Sequence, residues 1–230
     1  MTPILLVPGL GCSARLYAPQ VPALWQLGPV TIANHTTSNS MAGIGKAILD
    51  QAPPRFHLVG LSMGGYIAFE LLRQQPERVA KLALLDTGSR ADVPEQSERR
   101  RKFMAMARED RLGLINETLW PILVHESRAG DRELRATADA MMDETGAAAF
   151  IRQQEALISR PDSRPGFGAI HHPTLVIVGD GDRLTPPELS AEIANGIMGA
   201  RLETVPECGH LSTLERPEAV TKLLYDWLAD

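Results

Sequence analysis

Phe56-His57-Leu58-Val59-Gly60-Leu61-Ser62-Met63-Gly64-Gly65-Tyr66 is the stretch on which the reading of this chain turns. An apolar, strand-like run delivers a Gly-x-Ser-x-Gly pattern. Residues 63–75 then repeat apolar positions at helical spacing (Ile67, Ala68, Leu71, Leu72) up to Pro76. A strand that passes directly into a helix must turn sharply at Ser62, which forces that residue into strained backbone and requires small neighbours two positions away. Gly60 and Gly64 meet that need. The turn lifts the serine hydroxyl clear of the sheet, and the helix N-terminus beneath it favours developing negative charge. A bare five-residue pattern also occurs in ordinary strand–turn–helix units. Here the strand before it and the helix after it favour a nucleophile.

Outward from that turn, further short apolar runs stand at residues 4–7, 30–33, 82–85, 174–179 and 202–205. They have the character of strands buried on both faces of a parallel sheet. Helical patterns lie between them, at about 19–27, 41–49, 63–75, 187–197 and 217–228. This alternation predicts an α/β fold, a doubly wound, mostly parallel sheet of about six strands with its site at the strand carboxyl ends. Residues 89–168 break the rhythm, with helical candidates near 94–108, 111–119, 131–142 and 147–158. The predicted organisation is a core of 1–88 and 169–230 interrupted by a helical insertion of 89–168.

Two later segments also carry chemistry: Thr174-Leu-Val-Ile-Val-Gly-Asp-Gly-Asp182-Arg-Leu-Thr-Pro186 and Cys208-Gly209-His210-Leu211. With the serine turn before them, the chain resembles the α/β-hydrolase superfamily over nearly its whole length. That family orders its catalytic groups Ser, acid, His, places the acid in a Gly-x-x-Asp loop ending in Thr-Pro, and inserts a helical cap where residues 89–168 lie. The resemblance implies Ser62 as nucleophile, His210 as base and Asp182 as the acid that orients it. Asp86 and Asp180 also follow predicted strands. Asp86 stands where some relatives place their acid, and Asp180 has the position of a turn residue. The family's usual antiparallel first strand pair is absent, so the expected core is trimmed.

The chemistry explains why these residue types are needed together. A serine hydroxyl is a poor nucleophile at neutral pH and needs a base. Histidine, with an unperturbed pKa of about 6.5, can take the proton and return it. A carboxylate on its other nitrogen fixes the tautomer and stabilises the imidazolium. The expected oxyanion donors are the N–H of Met63 and that of Leu10, in the loop Pro8-Gly9-Leu10-Gly11. The family usually has histidine where Pro8 stands, so that family support is missing here; the fixed φ of Pro8 and the backbone freedom of Gly9 still let the Leu10 N–H point inward. Within the cap, Trp120, Phe150, Phe103 and His125 are the candidate pocket residues, set against the alternative that such residues pack cap to core. Glu215 fits the family's acid-x-Pro pattern after the histidine and is read as supporting that loop.

Composition narrows the partners. The chain has 230 residues, 44% hydrophobic and 22% charged, with a net charge of −5, which argues against nucleic acid or an anionic membrane as partner. No apolar run is long enough to span a bilayer, and no signal-peptide pattern opens the chain, so a cytoplasmic location is expected. Cys12 and Cys208 form no disulfide framework or zinc motif, and neither metal nor cofactor is expected. Glu98-Arg99-Arg100-Arg101-Lys102 reads as a solvated helix face, with attraction of an anionic substrate or carrier as the alternative.

These readings converge on a serine hydrolase cleaving small, largely apolar carboxylic esters through an acyl-enzyme. The same triad serves thioesterases, enol-lactonases, C–C bond hydrolases and lyases, and the fold also appears in non-catalytic small-ligand receptors. Haloalkane dehalogenase and epoxide hydrolase chemistry would need an aspartate where Ser62 stands.

Overall fold

The computed structural model describes residues 1–230. Its centre is a six-stranded, all-parallel sheet in the order β2-β1-β3-β4-β5-β6. The strands are β1 (Ile4–Val7), β2 (Val30–Ile32), β3 (Phe56–Leu61), β4 (Val79–Leu85), β5 (Thr174–Gly179) and β6 (Arg201–Val205). The helices are α1 (Val21–Leu24), α2 (Met41–Gln51), α3 (Met63–Gln74), α4 (Pro94–Arg108), α5 (Leu112–Leu123), α6 (Arg132–Ile158), α7 (Pro187–Gly196), α8 (Ser212–Glu215) and α9 (Pro217–Ala229).

The period-2 geometry of a strand divides each central strand between two cores. Leu5, Val7, Leu58, Leu84 and Val176 pack with Ile44 of α2, Ile67 of α3 and Ile193 of α7 on one face. Ile4, Leu6, Val59, Leu85 and Ile177 pack on the other with Leu24 of α1 and Val220 and Leu224 of α9. Both faces of the sheet are therefore covered, as a parallel sheet requires. The edge strand β6 departs from the expectation of full burial. Only β5 lies beside it, and Arg201, Leu202 and Thr204 are exposed.

In-register pairing brings the strand carboxyl ends together: Val7 pairs with Gly60, Leu61 with Leu85, and Leu85 with Ile177. From β1 the chain goes first to β2 on one side and then to β3 on the other. The loops after β1 and β3 therefore diverge at a topological switch point, where such sheets open a crevice.

Helices α4, α5 and α6 lie between β4 and β5 and share a small apolar core that includes Phe103, Ile115, Met142 and Phe150. The helices predicted over 131–142 and 147–158 are joined into α6 across a kink at Gly146, whose φ of 73° is non-helical. Helix α5 runs on to Leu123 despite Pro121. The helix expected over 19–27 shrinks to a single turn, α1, preceded by a 3₁₀ turn over Ala14–Tyr17 and followed by i→i+3 turns at Gln26 and Leu27. No helix is long and apolar enough to cross a membrane.

Candidate active site

Ser62 sits between β3 and α3 with φ 57° and ψ −115°, outside the regions L-residues ordinarily occupy. The strain follows from the close passage of the chain. A Cβ at Gly60 would overlap the Gly64 carbonyl, and one at Gly64 would overlap the Val7 carbonyl. Two hydrogen bonds help to hold the turn. The Ser62 N–H donates to the Leu85 carbonyl at 2.9 Å, and the Thr87 hydroxyl donates to the Ser62 carbonyl at 2.8 Å. Met63 heads α3, so its N–H is among those with no acceptor within the helix.

His210 and Asp182 meet across the ends of β5 and β6, with Nδ1 of the imidazole 2.8 Å from Oδ2 of the carboxylate. Both side chains are buried. Asp182 also accepts from the N–H groups of Leu184 (2.8 Å) and Thr185 (2.9 Å) and from the Thr185 hydroxyl (2.6 Å). Burial would raise the Asp182 pKa, but the His210 charge and these donors outweigh it and hold the carboxylate below its ordinary value. Burial would likewise lower the His210 pKa. The charge and hydrogen bond of Asp182, helped by Asp86 and Glu215, prevail and raise it. An Nδ1–H committed to Asp182 leaves Nε2 unprotonated and able to accept a proton, and His210 and Ser62 line the same cavity.

The other candidate acids have different partners. Asp180 accepts from the Cys208 N–H at 3.1 Å, as a turn residue does. Asp86 is fully buried at the end of β4, accepting from the Gly179 N–H (2.9 Å) and bonded to the Ser212 hydroxyl. Burial, with the Asp182 charge nearby, pushes the Asp86 carboxyl well up.

The loop after β1 is held by two residues that its own sequence does not announce. His35 Nε2 donates to the Gly9 carbonyl at 2.8 Å, and the Gly11 N–H donates to Gln153 Oε1 at 3.1 Å. Burial lowers the His35 pKa to about 4, so its ring is neutral and Nε2 carries the proton that bonds Gly9. This is the support that Pro8, in place of a histidine, leaves open. Leu10 lies between the two anchored residues and lines the cavity with Ser62 and Met63.

Glu215 supports the histidine loop. Its Oε1 accepts from the N–H groups of Gly209 and Leu211, on either side of His210, both at 3.1 Å. Its Oε2 accepts from the His125 N–H at 2.8 Å.

The cavity above Ser62 has a volume of about 240 Å³. Phe103 and Phe150 line it, with Met141 and Met142. Trp120 and His125 do not. Trp120 faces the core, packed with the sheet's second apolar cluster, its indole N–H donating to the Ala129 carbonyl at 2.9 Å. Leu119 and Leu123 of the same helix reach the cavity instead. His125 meets the site through its backbone, and its Nδ1 lies 2.8 Å from the Ser127 hydroxyl. The basic run of α4 is also not wholly solvated. Arg99 and Arg100 line the cavity, and Arg100 is largely buried.

The chain belongs to the alpha/beta hydrolase family, whose model matches residues 4–223. Among solved structures it is similar to a thermophilic esterase from Thermogutta terrifontis, solved with malate bound. That match is at 30% identity and TM-score 0.91, covering 100% of this chain and 90% of the other. It is also similar to the enol-lactonase from Burkholderia xenovorans LB400, at 26% identity and TM-score 0.89, covering 100% and 92%. Among characterised relatives, the 2-hydroxy-6-oxononadienedioate/2-hydroxy-6-oxononatrienedioate hydrolase of Klebsiella pneumoniae is 28% identical over 212 residues, 89% of this chain and 73% of that protein. These proteins share a hydrolase fold and differ in the substrates their names record.

Proposed function

We propose that this hydrolase cleaves small carboxylic esters through an acyl-enzyme formed on Ser62. The observation that carries the reading is the buried Asp182–His210 pair, whose histidine lines the same cavity as a serine held in a strained strand-to-helix turn. Ser62 Oγ attacks the ester carbonyl carbon as His210 Nε2 takes the hydroxyl proton, and the oxyanion formed is bound by the N–H groups of Leu10 and Met63. Collapse breaks the C–O bond and passes the proton from His210 to the departing alkoxide. Water, deprotonated by His210, then attacks the acyl-enzyme; the acid is released and the proton returns to Ser62. These steps require no metal or cofactor.

The cavity favours a compact substrate, being smaller than the roughly 300–1,000 Å³ that holds drug-sized ligands. The esterase and enol-lactonase to which the chain is similar act on esters or lactones by name, which agrees with this reading. The test is labelling by a fluorophosphonate probe followed by turnover of an ester and thioester panel. Ser62→Ala should lose the label and several orders of magnitude in turnover, keeping only the residual catalysis of binding and oxyanion donors. A folded Ser62→Ala protein with near-normal turnover would refute the assignment.

A further inference from the structure

Every formally charged residue lining the cavity is an arginine: Arg90, Arg99, Arg100 and Arg160. No carboxylate lines it, in a chain whose net charge is −5. Three of the four have a carboxylate partner, but two of these share a single carboxylate. Arg90 pairs with Glu192 at 2.8 Å, and Arg160 pairs with Asp92 while stacking on the Tyr66 ring. Arg100 shares that one Asp92 carboxylate at 2.7 Å, so Arg100 and Arg160 together keep a surplus positive charge. Arg99, one residue earlier on α4, makes no ion pair or side-chain hydrogen bond. Burial lowers the Arg100 pKa more than its bond to Asp92 raises it, and the neighbouring Arg160 adds to the lowering.

Gln154 provides an independent observation. Its side chain is fully buried and lines the cavity. Its Oε1 accepts from Arg100 Nη1 at 3.0 Å, which fixes the amide orientation and leaves Nε2 as a buried donor with no partner. Unpartnered buried donors are uncommon because they lose hydration without replacement. Arg100 uses three of its five N–H donors, on Asp92 and Gln154, and two remain. Planar guanidinium donors beside an amide N–H match a carboxylate, which can accept in a bidentate way.

We propose that the preferred ester carries a carboxylate at the end remote from its scissile carbonyl, bound by Arg99, Arg100 and the Nε2 amide of Gln154. The remaining wall, with Phe103, Met141, Met142 and Phe150, suits an apolar linker between the two ends. This substrate class rests on the ester-hydrolase reading above. The carboxylate subsite itself is defined by α4 and α6 and can be tested separately.

The experiment uses two matched pairs followed by pH-stat titration. Monoethyl adipate is set against ethyl hexanoate, and the butanoate ester of an ω-hydroxyhexanoate against hexyl butanoate. In at least one pair the carboxylate ester should have the higher kcat/KM by about tenfold or more, the scale of one charge-assisted hydrogen bond. Arg99→Gln should lower that ratio about tenfold. Gln154→Glu, nearly isosteric and still able to accept from Arg100, should lower it further. Arg101→Gln, an exposed change on the same helix outside the cavity, should leave the ratio in place. Calorimetry with Ser62→Ala should show the carboxylate ester of the preferred pair binding more tightly than its neutral partner. No preference in either pair, or an unchanged ratio in both Arg99→Gln and Gln154→Glu, overturns the subsite while the hydrolase reading stands. Carboxylate-dependent binding to Ser62→Ala without wild-type turnover of any ester overturns the ester reading and leaves the subsite in place.

Discussion

Replacing Glu215 with glutamine should destabilise the protein and shift its catalytic pH dependence together. The wild-type carboxylate, 1% exposed, accepts three backbone N–H groups: Gly209 and Leu211 at Oε1 and His125 at Oε2. A glutamine can keep its carbonyl on Gly209 and Leu211, but its NH₂ then faces the His125 N–H, donor against donor. One hydrogen bond to a charged group is lost, worth about 1.5–3 kcal/mol. Burial, which pushes the Glu215 carboxyl up, also makes the charge costly to hold, so the neutral amide recovers part of the loss. The net expectation is about 2 kcal/mol, or a fall in Tm of about 4–8 °C for a chain of this size. Glu215→Ala strands all three donors and should lose about 4 kcal/mol. Glu215 is also one of the negative charges that raise the His210 pKa, so Glu215→Gln should move the acid limb of kcat/KM to lower pH. Urea titration and a pH–rate profile measure the two effects. A glutamine variant within about 0.5 kcal/mol of wild type, with its acid limb unmoved, would refute the reasoning.

Base catalysis requires neutral His210, and its pKa is raised above 6.5, so kcat/KM should climb with pH through an apparent pKa above that value; a flat profile across this range, with chemistry limiting, would contradict it. Asp182→Asn should lower kcat by about 10⁴ by favouring the wrong tautomer. Asp86→Asn can still accept from Gly179 and donate to Ser212, and Asp180 faces Cys208, so both asparagine variants should stay within about tenfold of wild type; the reverse ranking would move the acid to β4. Phe103→Ala should change the size ranking of an ester series by about 1–3 kcal/mol per methylene accommodated, whereas Trp120→Ala should cost stability by denaturant titration and leave the ranking alone.

The parts of this molecule that can be read from sequence are those where geometry admits few residue types. A strand-to-helix turn this tight excludes any Cβ at Gly60 and Gly64, so the turn is visible as a pattern. Short strands covered on both faces must be mostly apolar, so β1, β3 and β5 stand out, while β6, with one neighbouring strand, carries exposed positions inside its run. His35 and Gln153 left no such mark. Each reaches the loop after β1 from a distant segment, and a single side-chain hydrogen bond imposes no local spacing. The placement of Trp120 is hidden from the sequence for a related reason. Apolar periodicity shows that α5 has a buried face, but not whether that face meets the cavity or the sheet. The basic run of α4 reads as a solvent face because its counter-charge, Asp92, lies outside the helix, and the burial of Arg100 depends on α6 packing over it.

Adjacent residues of α6 serve the two ends of the cavity. Gln153 holds the Gly11 N–H of the loop after β1, and Gln154 holds Arg100 of α4. Neighbouring helical residues project about 100° apart, so one helical turn can reach the loop after β1 with one amide and α4 with the next. The break at Gly146 lets this last part of α6 take its own direction, independent of the part that carries Met141 and Met142. A rotation that spoiled the Gln154–Arg100 contact would also pull on the Gln153–Gly11 contact. The geometry of the proposed oxyanion loop and that of the proposed carboxylate subsite are therefore fixed by the same turn of helix. A substrate that engages Arg100 and Gln154 acts on the element that also positions the loop carrying Leu10.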